Sequence, residues 1–242
     1  MDRKRDAYGQ LILAHFLGKN SYEFVEREDG FLAPSGGAKN YFSEYPEWPE
    51  HQRKGMRYAT GRILDIGCGA GRVSLYLQAR GLDVVGIDNS PLAIEVCRKR
   101  GLKKAKIMSI ADIGEFEPSS FDTVVLYGNN FGLFGSREGA RRLLKTLHRI
   151  TSTRARIIAE SRDPYGTDDP VHLAYHRYNQ RRGRMPGQLK IRIRFRDYVG
   201  GWFSYLLVSK EEMRRILSGT GWKAEKFFDG KDSAYVAVIK KE

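Results

Sequence analysis

The chain has 242 residues, 41% of them hydrophobic, so it is long enough to bury one full core and we expect one domain. No run approaches the roughly 18 consecutive apolar residues of a membrane-spanning helix. The two cysteines, Cys68 and Cys97, are too few for a disulfide framework, and their spacing argues against a zinc or redox site. A formal net charge of +13 favours anionic partners without identifying one.

Residues 1–60 are predicted to form an irregular cap or lid. Gly, Pro and Asp residues interrupt short apolar patches, and only residues 10–17 have a helical pattern. The segment is rich in aromatic residues, which either pack on a core or line a ligand pocket. We assign most of them to packing and keep Tyr41 as a candidate substrate contact. No apolar signal segment follows the charged residues 1–5, so we expect a cytoplasmic protein without membrane contact.

From residue 62 onward, short β-rich apolar runs alternate with helical stretches. This pattern is typical of βαβ units and of a mostly parallel sheet. The predicted strands are residues 63–66, 83–87, 105–110, 123–127 and 156–159. Helices are predicted over residues 72–80, from Pro91, and up to residue 149, with Ser90 and Ser136 as N-caps. Residues 61–161 are therefore expected to be the core of a doubly wound α/β fold.

The C-terminal third is predicted to add a cap and to complete the sheet. A polar stretch follows Ser161, and then the alternating strand 189–196 and a partner strand 202–208 form an inserted β-hairpin within residues 162–208. Residues 209–212 are a capping box that opens a helix ending at Gly219. Residues 222–228 and 234–239 are predicted to close the core as an antiparallel hairpin within residues 209–242.

The strongest functional signal is the stretch 63–72, a strand that runs into a glycine-rich turn and a helix. Gly67, Gly69 and Gly71 let the backbone approach a ligand and leave amide groups at a helix N-terminus free to donate. A dinucleotide-binding turn has its third glycine one position later, where this chain has Arg72, so a pyrophosphate ligand is disfavoured. Asp88 ends the next strand, where a carboxylate accepts the ribose hydroxyls of an adenosine-containing ligand.

Asp65 and the three alternating glycines resemble the first motif of the class I S-adenosylmethionine-dependent methyltransferases. The resemblance continues through residues 85–91, Ala111-Asp112, residues 121–125 and Gly221-Trp222. It implies a Rossmann-like seven-stranded sheet and S-adenosylmethionine as the cofactor. The residues that it places around this cofactor are Asp65, Gly67, Cys68, Gly69, Gly71, Asp88, Asn89, Ala111, Asp112 and Tyr127. For Asp112 the alternative is a solvated turn acid, and for Cys68 a small filler side chain.

Methyl transfer is an in-line displacement, which needs a nucleophile held against the methyl carbon and the exclusion of water. A base is needed only when the acceptor arrives protonated. Candidate acceptor contacts near the strand ends, beside Tyr41, are Asn129, Asn130, Glu160, Asp163 and His172, although polar residues that merely satisfy loop backbone are an equal alternative. The family motifs for base-directed DNA methylation, an Asn/Asp-Pro-Pro-aromatic run and a Pro-Cys pair, are absent.

The basic stretch 177–196 leaves the partner open. Its alternating arginines either bind phosphates or form the solvent face opposite Ile191, Ile193 and Phe195. We favour the solvent face, because no interleaved aromatic platform is evident. His172 and His176 stand four residues apart, but no metal site is expected. We therefore expect a small-molecule acceptor; an RNA methyltransferase using residues 177–196 and a noncatalytic cofactor-binding module are the alternatives.

Overall fold

The computed structural model describes residues 5–242, in which seven α-helices and twelve strands form two sheets. The helices are α1 (Ala7–Phe16), α2 (Glu50–Met56), α3 (Arg72–Ala79), α4 (Pro91–Lys99), α5 (Arg137–Ile150), α6 (Pro170–Arg181) and α7 (Lys210–Leu217). The strands are β1 (Phe24–Arg27), β2 (Leu32–Pro34), β3 (Arg62–Ile66), β4 (Asp83–Asp88), β5 (Ala105–Ile107), β6 (Phe121–Leu126), β7 (Thr151–Arg162), β8 (Gln188–Phe195), β9 (Tyr198–Val199), β10 (Phe203–Leu206), β11 (Trp222–Asp229) and β12 (Ala234–Lys241).

The larger sheet has seven strands in the order β11-β12-β7-β6-β3-β4-β5. Strands β3 to β7 run parallel, whereas β12 is antiparallel to β7 and β11 is antiparallel to β12. This confirms the predicted doubly wound α/β fold with an antiparallel C-terminal hairpin. The chain winds outward in both directions from β3, which lies between β4 and β6, and ligands of such sheets bind at the carboxyl ends of the strands beside this switch point.

Helices cover both faces of the large sheet, which is why its central strands are almost continuously apolar. Successive side chains of a strand point to opposite faces. Leu64 thus packs in one buried cluster with Leu144 of α5, while Ile63 packs in another with Leu77 of α3 and Met56 of α2. Among residues 5–242 no helix has the length and apolar character needed to cross a membrane.

The second sheet joins two segments that are far apart in the sequence. Its order is β10-β8-β1-β2, with β9 added to β8. The predicted pairing of the inserted strands is confirmed, since β8 and β10 are antiparallel. The expectation that residues 1–60 are irregular apart from one helix is wrong, because this segment also contributes β1, β2 and α2. The inserted cap is therefore part of a larger sheet shared with the N-terminal segment.

Several predicted boundaries differ from the structure for local reasons. The strand expected over residues 105–110 ends at Ile107, because Ser109 caps a 3-10 helix, Ile110–Glu115. The strand expected over residues 156–159 extends over Thr151–Arg162, where it pairs with both β6 and β12. Helix α6 was not predicted, since among its residues only Tyr175 and Asn179 are buried and no apolar stripe results.

Candidate functional site

Three glycines in the left-handed backbone region shape the turn between β3 and α3. Gly67, Gly69 and Gly71 have φ values of 70°, 56° and 82°. A Cβ at Gly67 would lie 2.5 Å from Nδ2 of Asn130, and one at Gly69 would lie 2.5 Å from the hydroxyl oxygen of Tyr8. Both the backbone angles and the close neighbours therefore require glycine here. The turn presents bare backbone at the start of α3.

Asp88, the last residue of β4, is tied to this turn. Its Oδ2 accepts a hydrogen bond from Gly69 N at 3.0 Å, and its Oδ1 accepts one from Ser90 N at 2.9 Å. Burial raises the pKa of Asp88 to about 6, although both amides favour the ionised form; the nearby Asp6 carboxylate adds to the increase. The side chain is 7% exposed, so Asp88 is a partly desolvated carboxylate beside the glycine turn.

Asp65 lies beneath the same turn. Its Oδ2 accepts a hydrogen bond of 2.6 Å from Ser74 Oγ, which links β3 to α3. Burial raises the pKa of Asp65 to about 6, because desolvation outweighs the hydrogen bond from Ser74 and the attraction of Arg72. The first acidic residue of the motif thus anchors the helix that follows the turn.

A cavity of about 950 Å³ lies at the carboxyl ends of the central strands. Its wall combines the glycine turn, the segment that follows β6, the end of β7, the β11–β12 connection and residues 36–52, which cover it. Nine of the residues that line it are candidates from the sequence: Tyr41, Asp65, Gly67, Cys68, Gly69, Tyr127, Asn129, Asn130 and Glu160. The structure therefore brings the first motif and most candidate acceptor contacts to one place.

The other candidate residues do not line this cavity: Gly71, Asp88, Asn89, Ala111, Asp112, Asp163 and His172. Ala111 and Asp112 are exposed on the 3-10 helix after β5. Asp163 accepts a hydrogen bond from Tyr165 N in the loop after β7.

The expectation that His172 contacts the acceptor is not supported by its position. Its Nδ1 lies 3.1 Å from Nη1 of Arg27, and its ring packs edge to face on Phe31, so this residue of α6 packs against the second sheet. Within residues 5–242, no group of three or more His, Cys, Asp or Glu side chains is placed to hold a metal ion.

Two asparagines follow β6 at the edge of the turn. Nδ2 of Asn130 donates to the carbonyl oxygens of Ile66 and Gly67, each at 3.0 Å. Asn129 has a left-handed backbone, and its Oδ1 is buried without a hydrogen-bond partner among residues 5–242. A buried acceptor without a partner is costly, which marks Asn129 as a place where a ligand donor would be stabilising.

Glu160, near the end of β7, accepts hydrogen bonds through both carboxylate oxygens. Oε1 lies 3.1 Å from Nε2 of His51 and 2.9 Å from Nε2 of Gln52, while Oε2 accepts from Gln52 at 3.0 Å and from Gly128 N at 2.6 Å. Burial opposes the ionised form, but these donors outweigh it and lower the pKa of Glu160. The buried Glu160 carboxylate thus joins α2 to the carboxyl ends of β6 and β7, and we call this contact the junction.

The residues that bring the N-terminal segment to this junction are not among the candidates from the sequence. Gln52 accepts a 2.7 Å hydrogen bond through its side chain from Nη2 of Arg72 and another of 2.7 Å through its backbone carbonyl from the hydroxyl of Tyr127. The Arg72 guanidinium also lies 4.4 Å from the ring centre of Trp48. The signal in the sequence is Pro49 followed by Glu50, a pattern typical of a helix start.

Comparison with known proteins agrees with this geometry. Residues 63–153 match the methyltransferase domain family. The ubiquinone biosynthesis O-methyltransferase of Xylella fastidiosa (strain 9a5c) is 30% identical over 107 residues, which cover 42% of this chain and 44% of that protein. The chain thus spans less than half the length of the curated relatives it matches first.

Solved structures are similar over more of the chain. A S-adenosylmethionine-dependent methyltransferase from Bacteroides fragilis, in complex with S-adenosylhomocysteine, has a TM-score of 0.85 and 26% identity, over 100% of this chain and 97% of its own. A methyltransferase from Methanosarcina mazei has a TM-score of 0.61 and 19% identity, over 76% of this chain and 95% of its own, and shows the shared fold.

A three-glycine turn at the switch point, with an acidic residue ending the next strand, defines an α/β protein that binds an adenosyl ligand. Residues 63–153 form a methyltransferase domain, the chain has the fold of the class I S-adenosylmethionine-dependent methyltransferases, and its cofactor is S-adenosylmethionine. The residues present fit this cofactor. The bare backbone of Gly67 and Gly69 lines the cavity, and the unpartnered Oδ1 of Asn129 on the same wall suits an ammonium donor.

Proposed function

We propose that the chain transfers a methyl group from S-adenosylmethionine to a small-molecule acceptor held in the cavity. The observation that carries this proposal is the covered cavity itself: residues 36–52 close over it, and it adjoins the glycine turn. Its volume of about 950 Å³ is within the range of sites for small ligands. The ubiquinone biosynthesis O-methyltransferases among its relatives support a small acceptor of this kind.

Within this proposal, each part of the site has a physical task. S-adenosylmethionine supplies an electrophilic methyl group when bound. The backbone of Gly67 and Gly69 holds the methionine portion, Asp88 accepts the ribose hydroxyls, and Asn89 and Asp112 lie beside the adenine. The N-terminal segment excludes water and restricts the acceptor, so that proximity supplies most of the rate enhancement.

The first prediction concerns ligand choice. S-adenosylhomocysteine is expected to bind with micromolar affinity and NAD at least about tenfold more weakly, because Arg72 stands where a pyrophosphate-binding turn has its third glycine. Isothermal titration calorimetry with both ligands measures the difference. Tighter binding of NAD would contradict the cofactor assignment at the glycine turn.

Charge pairing in the second sheet argues against an RNA acceptor bound along residues 177–196. Arg192 and Arg194 both donate to Glu26 of β1, and these hydrogen bonds, led by the one from Arg192, lower the pKa of Glu26 to about 2. The expectation that the arginines lack an aromatic neighbour is wrong, however, since the Arg192 guanidinium lies 4.5 Å from the ring centre of Trp202. Arg192 and Arg194 thus share the Glu26 carboxylate, and the partly exposed indole of Trp202 lies beside Arg192.

We expect RNA and single-stranded DNA to bind only weakly at physiological salt. The triple variant Arg192→Gln, Arg194→Gln and Arg196→Gln is expected to change the slope of log affinity against log salt by less than about one unit, because few phosphates are neutralised. Fluorescence anisotropy at several salt concentrations measures this slope. Submicromolar binding, with a slope that falls by about two to three units in the variant, would instead favour an RNA acceptor.

A further inference from the structure

We propose that His51 is the general base of this site and that the acceptor is methylated on a hydroxyl oxygen. The inference rests on the proposed function and names its substrate class. It follows from one arrangement: a buried imidazole on the cavity wall, held at Nε2 by a carboxylate whose own oxygens are fully engaged. Such a pair of base and orienting carboxylate is a recurrent way to fix an imidazole for proton transfer.

Glu160 itself is unsuited to take the proton. Its oxygens accept from His51, from Gln52 twice, from Gly128 N, and from Asn129 N at a longer 3.4 Å. It is 4% exposed, and its lowered pKa makes it a poor proton acceptor. The sequence makes Glu160 a candidate acceptor contact, whereas its geometry makes it a positioning residue that acts through His51.

The imidazole has its other nitrogen available. With Nε2 donating to the Glu160 carboxylate, Nδ1 carries the lone pair, and it has no hydrogen-bond partner among residues 5–242. The ring edge that contains Nδ1 lies against Gly230, where a Cβ would be 2.5 Å from this nitrogen. Both His51 and Gly230 line the cavity, and glycine at position 230 is what allows the imidazole to lie there.

Three other titratable groups on the wall are engaged in hydrogen bonds of their own. The Tyr127 hydroxyl donates to the carbonyl of Gln52, the Tyr41 hydroxyl donates to Glu23, and Asp65 is bonded to Ser74 beneath the turn. Among these groups and Glu160, His51 is the one whose free lone pair suits proton removal.

The acceptor class follows from what a base is needed for. Carboxylates are already ionised at neutral pH, and neutral amines already carry a lone pair, whereas a phenol or alcohol becomes a strong nucleophile when its O–H proton is removed. In the proposed step the hydroxyl proton moves to Nδ1 of His51, and the acceptor oxygen forms a bond to the methyl carbon. The carbon–sulfur bond breaks, and its electron pair stays on sulfur as a neutral thioether.

The experiment compares acceptors that do and do not need a base. Catechol is largely protonated at pH 8, whereas 4-nitrocatechol is largely ionised. His51→Gln, which keeps an N–H to donate to Glu160, is expected to lower kcat/KM for catechol by about 100-fold or more and for 4-nitrocatechol by less than about tenfold. His176→Gln is the matched control, since this histidine lies on α6 outside the cavity lining. It should leave both values unchanged, and thermal melting checks that each variant is folded.

Equal losses for the two acceptors in His51→Gln, or no loss, would overturn the base assignment. Methylation of benzylamine without any methylation of the two catechols would leave the proposed function intact and overturn the hydroxyl class. If S-adenosylhomocysteine binds but neither the catechols nor benzylamine are methylated, the small-molecule function is contradicted instead.

A second measurement tests His51 without any acceptor. In protein labelled with ¹⁵N-histidine, the chemical shifts of the two ring nitrogens distinguish which one carries hydrogen, and the missing signal in His51→Gln assigns the residue among the five histidines. We expect the Nε2–H tautomer in the wild type and a mixture of tautomers in Glu160→Gln. A wild-type Nδ1–H tautomer would overturn the proposal, and an unchanged tautomer in Glu160→Gln would remove the positioning role.

Discussion

Replacing Glu160 with alanine is expected to lower the free energy of unfolding by about 3 to 5 kcal/mol, because it leaves several buried donors without an acceptor. The groups affected are Nε2 of His51, Nε2 of Gln52 and the backbone N–H of Gly128. Total stabilities of domains are roughly 5 to 15 kcal/mol, so the loss would be a large part of the whole. Urea unfolding at pH 7.5 measures it.

Glu117→Ala is the matched control for this measurement, since Glu117 is exposed on the loop before β6. Its effect is expected to stay within about 0.5 kcal/mol. The folded-state pKa of Glu160 is lowered, so its contribution is present above the ordinary glutamate pKa and is lost as the pH falls through the lowered value. A difference below about 1 kcal/mol between wild type and Glu160→Ala at pH 7.5 would show that the junction with α2 is not a main support of the fold.

Replacing Asp88 with alanine is expected to weaken S-adenosylhomocysteine binding about tenfold to hundredfold at pH 7.5. A carboxylate that accepts two ribose hydroxyls contributes roughly 1.5 to 3 kcal/mol. Hydroxyl donors favour the ionised carboxylate, whose pKa in the free protein is about 6, so wild-type affinity should rise as the pH increases through about 6. Calorimetry from pH 5 to pH 8 should show this rise in the wild type and a weaker one in the variant.

The same substitution is expected to leave the protein folded. The folded-state pKa of Asp88 is raised above its usual value of 3.8, so its favourable contribution is complete below pH 3.8 and is lost as the pH rises through about 6. At pH 8 its ionised form opposes folding by an amount on the order of 2 to 3 kcal/mol, which alanine removes. Unfolding should therefore be measured for both proteins at pH 4.5 and pH 8. The stability of the variant relative to that of the wild type should be greater at pH 8.

Asp83→Ala is the control for Asp88, because Asp83 lies at the opposite end of β4, exposed beside Lys104. It should change neither ligand affinity nor the pH dependence of binding. Unaltered affinity in folded Asp88→Ala would remove this carboxylate from the ribose site.

The glycine turn could be predicted because its determinants are local. Gly67, Gly69 and Gly71 need glycine for backbone reasons within a few residues, and the strand and helix around them have clear periods. The two ends of the motif, Asp65 and Asp88, also fall where the strands end. The parallel core and its switch point follow from the same local patterns repeated along the chain.

The junction at Glu160 could not be predicted in this way. His51 and Glu160 are 109 residues apart, and neither is adjacent to a motif. Helix α2 has seven residues, and its buried positions include the polar His51 and Gln52, so it lacks an apolar stripe that would reveal it. Buried polar partners are recognised only when the three-dimensional neighbours of each donor are known.

The pairing of β1 with β8 sets an order of events for the growing polypeptide. The bonded side chains Glu26 and Arg192 are 166 residues apart, so β1 leaves the ribosome long before its partner strand has been made. Chain segments that wait for distant partners stay open to wrong contacts, and contacts of such long separation form slowly. The parallel strands β3 to β6 are complete by residue 126, well ahead of β8. Synthesis therefore completes strands β3 to β6 before β8 is available to pair with β1 and close the second sheet.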